Sequence, residues 1–209
     1  MNKFSITQLE IVRKSPKQFA ENLKATADSK PSFFGRGKFM RWQDSVSEYH
    51  KQNDLAKAIN YLERSFSNRK DNAKNRNEVE RFVSSLDAYV SHFNKKKFTL
   101  IDSRKKIHIE LNAKVYISGQ VPITYMNTKG GFSVYFFSQA GLDWETELKF
   151  PILQKYFAEQ IYGTDLNKIE VGIFSTDSDK FFQQSYTEIE VKEAEKELKK
   201  IGNIFFDTL

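Results

Sequence analysis

Lys106-Ile107-His108-Ile109-Glu110-Leu111 and, three residues later, Val115-Tyr116-Ile117-Ser118-Gly119-Gln120-Val121-Pro122 decide the fold. Ile107, Ile109 and Leu111 alternate with Lys106, His108 and Glu110. Val115 and Ile117 alternate with Lys114, Tyr116 and Ser118. A period of two is the signature of a strand with one buried face, because successive side chains leave a strand on opposite sides. Gly119 and residues 127–131 punctuate the run, and the aromatic, β-branched residues 132–137 suit a central strand, so an antiparallel meander begins here.

Upstream the period lengthens. Val79, Phe82, Val83, Leu86, Tyr89, Val90 and Phe93 recur at steps of three and four, which predicts an amphipathic helix over 77–94. Residues 38–52 and 54–67 are helix-compatible, with Asp54 as N-cap. Ser5 with Gln8, and Ser15-Pro16 with Gln18, each have the spacing of a helix start. Downstream, a helical segment over 144–162 contains Pro151, expected to open a helix or kink one. Strands are expected at 169–174 and 181–186, and Thr187 to Glu190 has capping-box spacing ahead of a final amphipathic helix. The expectation is one α/β domain over 1–209, with a mixed central sheet flanked by helices: 1–96 mainly helical and basic, 97–209 the sheet core.

The 209 residues are 39% hydrophobic with 19 Phe, enough for a sizeable core. There is no Cys, hence no disulfide framework and no thiolate zinc site. No run approaches the roughly 18 apolar residues of a membrane span, and the N-terminus has no signal-like apolar stretch, so a cytoplasmic protein without membrane contact is expected. His50, His92 and His108 lack the paired spacing of zinc enzymes. Phosphate loops of the G-x-x-x-x-G-K-[ST] type and G-x-S-x-G elbows are missing too.

The net charge of +6 conceals an asymmetry. Residues 1–106 hold 23 Lys+Arg against 12 Asp+Glu, net +11, while 107–209 hold 10 against 15, net −5. Within the basic half, Lys95-Lys96-Lys97 and Arg104-Lys105-Lys106 flank a short apolar strand candidate, 98–101, and are the candidate nucleic-acid contacts. Basic loops beside strands also serve solubility. Phe33, Phe34 and Trp42, near Arg36, Lys38 and Arg41, are candidates for stacking on bases, or for the core.

The order of elements, together with these residues, resembles the RecB-like exonuclease branch of the PD-(D/E)XK nuclease superfamily over roughly 4–204. Ser5-Ile6-Thr7-Gln8-Leu9 followed by Ser15-Pro16-Lys17-Gln18-Phe19 is similar to that branch's N-terminal pattern. The stretch 115–122 is similar to its second core strand, in which a Gly is followed three residues later by a metal-binding Asp; here Pro122 stands in that place. The strand Val134-Tyr135-Phe136-Phe137-Ser138 is similar to the carboxylate-x-Lys strand, with Tyr135 at the carboxylate and Phe137 at the lysine. Gln154 and Tyr156 are similar, at tighter spacing, to the Gln and Tyr of a helical motif. The resemblance implies a restriction-endonuclease-like core whose carboxylates would hold Mg²⁺ to activate water.

Pro, Tyr and Phe can do neither job, so the chain is expected to have no catalytic residues, no metal and no cofactor, and to bind nucleic acid without cutting it, in phage replication or host defence. Two alternatives stand beside this. One is a protein-interaction or scaffold subunit; the other is an active nuclease whose carboxylates have moved to Glu110, Glu48 and either Asp143 or Glu145.

Overall fold

The computed structural model describes residues 2–26, 37–67, 72–112, 115–138 and 143–208. A six-stranded mixed sheet divides the molecule. Its strands are β1 (Asn2–Ser5), β2 (Thr99–Asn112), β3 (Val115–Met126), β4 (Phe132–Ser138), β5 (Ile169–Ser175) and β6 (Lys180–Gln184). β2, β3 and β4 form an antiparallel meander, β4 pairs β5 in parallel, and β6 returns antiparallel to β5. β1 runs parallel to β3 at Val115–Ser118, whereas β4 meets β3 only from Ile123 onward, so β3 is served by two partners end to end.

The helices are α1 (Leu9–Lys14), α2 (Pro16–Thr26), α3 (Lys38–Gln52), α4 (Leu55–Phe66), α5 (Ala73–Lys95), α6 (Lys149–Tyr156) and α7 (Glu188–Thr208). Their starts follow local chemistry. Ser5 and Gln8 form the reciprocal capping box at the first helical turn, Asp54 accepts from the Lys57 N–H, and Thr187 exchanges hydrogen bonds with Glu190. Pro151 sits in the first turn of α6, where its missing N–H costs nothing. α6 then widens into a π-helical turn over Phe157–Tyr162, ended by Gly163 in the left-handed conformation.

Two hydrophobic clusters form. The first gathers Phe4, Leu9, Ile117, Val134, Val171, Leu198 and Phe205 among others, from α1, α6, α7 and one side of the sheet. The second gathers Trp42, Leu62, Phe82, Tyr89, Tyr125, Tyr135, Phe137 and Phe174, from α3, α4, α5 and the other side. β3 serves both, and odd-numbered residues serve the first cluster up to Val121 and the second from Ile123. Regular alternation cannot do this. The change falls at Pro122, which has no N–H, and opposite it Arg104 of β2 has φ +62°.

Two expectations are corrected here. β2 is one strand of 14 residues that passes straight through Arg104-Lys105-Lys106, so 98–101 and 107–111 are not separate strands and the second triplet is not a loop. An edge strand tolerates this because only one of its edges has to pair. β1 was not expected at all: four residues are too few for a periodic signal, and only pairing with β3 defines them.

Candidate nucleic-acid interface

Of the three positions that the resemblance would assign to catalysis, Tyr135 and Phe137 are buried in packing and Pro122 is half-buried. Tyr135 is fully buried and its hydroxyl donates to Gln183 Oε1 at 2.6 Å. Phe137 stands edge-on to Trp42, with centroids 5.0 Å apart, and Trp42 stacks on Phe174 at 5.7 Å. Beside them His50 Nε2 lies 2.7 Å from the Tyr89 hydroxyl, itself 2.6 Å from the Tyr125 hydroxyl. Burial lowers the His50 pKa to about 4 and raises those of Tyr89, Tyr125 and Tyr135. The side of the sheet around Tyr135 and Phe137 is therefore an aromatic core. Trp42, a candidate for base stacking, belongs to that core; Phe33, Phe34 and Arg36 lie outside the described residues.

Glu48, Glu110, Asp143 and Glu145 come from α3, β2 and the turn before α6, and no three His, Cys, Asp or Glu converge as a metal site among the described residues. Gln154 is buried and structural: its amide donates to the Leu166 and Tyr186 carbonyls and accepts from the Tyr186 N–H, fastening α6 to the start of α7. The Tyr156 hydroxyl accepts from the His108 N–H at 3.3 Å, in an open cleft of about 440 Å³ between β2, α6 and α7.

The two basic triplets differ. Lys95, Lys96 and Lys97 are exposed at the C-terminus of α5, where Lys97 adopts φ +53° as the chain turns into β2. Cations suit a helix C-terminus, which is the structural reason for them. Lys96 lies over the Phe98 ring and reaches Gln183 Oε1 at 3.5 Å. Arg104, by contrast, is paired with the buried Asp44 of α3, and Lys105 lies 3.4 Å from Asp102. Lys106 is exposed. Seven residues of extended chain separate Lys97 from Arg104, about 23 Å, so the triplets are two sites along one edge strand.

Two further lysines share the α5 end of the sheet. Thr99 pairs with Met126, which brings the β3–β4 turn and its Lys129 to this end, and Gly131 in that turn abuts the Lys168 carbonyl. Neither lysine stands out in the sequence, since each is isolated. Glu170 is the acidic group nearest to Lys168 along the chain, two residues on.

No family model matches this chain, and no curated protein matches it. Among solved structures, one described as "Crystal structure of SSO0001" is similar at 11% identity, covering 92% of this chain and 85% of that one, with a TM-score of 0.32.

Proposed function

We propose that this chain is a nuclease-like α/β protein, with a restriction-endonuclease-like core, that binds nucleic acid without cleaving it, in a cytoplasmic setting such as phage replication or host defence. The observation that carries the proposal is the contrast between Tyr135 and Phe137, buried among aromatics, and Lys95, Lys96 and Lys97, exposed together at one sheet end. The helix–meander–helix–strand order, with β4 and β5 parallel, supports the nuclease-like reading. A sheet side filled with rings has no room for hydrated Mg²⁺ or a scissile phosphate, so retained function falls to the basic surface.

The test has two arms. Single- and double-stranded DNA and RNA should remain intact with Mg²⁺ or Mn²⁺; cleavage that disappears in Glu110→Ala or Asp143→Ala overturns the proposal. Binding by fluorescence anisotropy should weaken with salt, each phosphate contact contributing roughly −0.9 to the log–log slope on duplex and about −0.7 on single strands. Replacing Lys95, Lys96 and Lys97 with Glu should abolish duplex binding without lowering the melting temperature, while Lys199→Glu with Lys200→Glu should have little effect. Undetectable wild-type binding at low salt hands the chain to the protein-interaction reading.

A further inference from the structure

The side of the sheet opposite the first cluster is open around the N-terminal half of β3. Tyr116, Ser118 and Gln120 alternate with the buried Val115, Ile117 and Val121, so they project away from that cluster. Register brings Lys106 beside Gln120, His108 beside Ser118 and Glu110 beside Tyr116 on β2. On the opposite edge it brings Lys3 beside Tyr116 and Ser5 beside Ser118 on β1. None of these side chains is buried, and neither hydrophobic cluster includes them.

At the centre the rings of His108 and Tyr116 lie against each other, centroids 4.4 Å apart and inclined at 32°. His108 remains 51% exposed, its Nε2 3.7 Å from Glu110 Oε1. Its backbone N–H is held by the Tyr156 hydroxyl, so the outward edge of β2 is tied down at this point. An aromatic pair fixed on strand backbone presents a π-face with little further ordering to be done on binding. Lys3 flanks it on one side and Lys106 stands one step along β2. Glu110, the acidic member of this surface, repels phosphate from its own flank and leaves the Lys106 flank as the favoured path.

We infer that this three-stranded surface binds single-stranded nucleic acid, with a base stacked on the Tyr116–His108 pair and neighbouring phosphates against Lys106 and Lys3. The inference rests on the nucleic-acid reading above and adds to it a second site, away from Lys95, Lys96 and Lys97, together with its strand state. Only unpaired bases expose a π-face, so stacking selects single strands over duplex, whereas lysines alone do not. Ser118 and Gln120 add hydrogen-bonding groups without sequence preference.

Fluorescence anisotropy with labelled oligothymidylate, oligouridylate and a DNA duplex of equal length tests this. Both single strands should bind more tightly than the duplex, and the ratio of the two reports whether DNA or RNA is preferred. Tyr116→Ala and His108→Ala should each weaken single-strand binding by roughly five- to a hundred-fold and leave duplex binding unchanged. Tyr116→Phe, which keeps the ring, should bind as wild type does, separating stacking from any loss of fold. Equal affinity for duplex and single strands, or a silent Tyr116→Ala, overturns the inference while the nucleic-acid reading stands. Failure of the wild type to bind any of the three probes overturns both.

Discussion

The two halves of β3 face the same side of one sheet in opposite ways. Beyond Pro122, Ile123 and Tyr125 lie under α3 and α5 with Tyr135, Phe137 and Phe174, and every ring there is packed against others. Before Pro122, Tyr116, Ser118 and Gln120 lie open beside His108 and Lys106. One half has spent its surface on stability; the other has kept polar and aromatic groups outside any core. Chemistry is blocked at the first by burial and remains available at the second. The same residue type, tyrosine, serves both halves, so a matched pair of substitutions measures the difference directly.

The largest effect is expected in the closed half. Tyr135→Ala removes a fully buried ring together with its hydrogen bond to Gln183, and should cost on the order of 3–5 kcal/mol in urea unfolding. A near-neutral result would break the comparison, because it would mean that α3–α5 do not seal this side. Phe82→Ala on α5, also fully buried, should fall in the same range.

Next comes pH. The unfolded chain protonates His50 as pH falls through 6.5, while the folded one resists until about 4. This group's contribution is therefore full above pH 6.5, is lost between 6.5 and 4, and changes no further below that. The total is on the order of 3 kcal/mol. Comparing denaturant midpoints of wild type and His50→Gln across that window checks it: the difference in slope should vanish outside the window, and parallel curves within it would place His50 in water.

The smallest effect sharpens the contrast. Tyr116→Ala in the open half should change stability by less than about 1 kcal/mol, since its ring supports neither core. A loss matching that of Tyr135→Ala would show that the open surface is a third piece of core and remove the basis for binding there.

Much of the fold was legible in local patterns. The three- and four-residue steps of 77–94 lie within α5, the capping residues Ser5, Asp54 and Thr187 mark helix starts, and the alternation at 107–117 marks strands. Each signal arises because burial of one face imposes the element's own period on the chain. Gly119 was legible as punctuation, but its reason is tertiary: a Cβ there would meet Ile6 Cγ2 at 2.7 Å.

The sequence by itself determined the long helices and most of the sheet strands, where the charge is concentrated, and that Pro122, Tyr135 and Phe137 cannot serve as metal ligands or as a lysine. Only the tertiary structure decided what those residues do instead. Pro122 marks the point where β3 passes from one cluster to the other, Arg104 is neutralised by Asp44 from a helix 60 residues away, and His108 meets Tyr116 across a register that no local pattern encodes. The physical reason is range: propensity, capping and periodicity act over a turn or two of chain, whereas burial, charge pairing and ring stacking depend on partners that folding alone brings together.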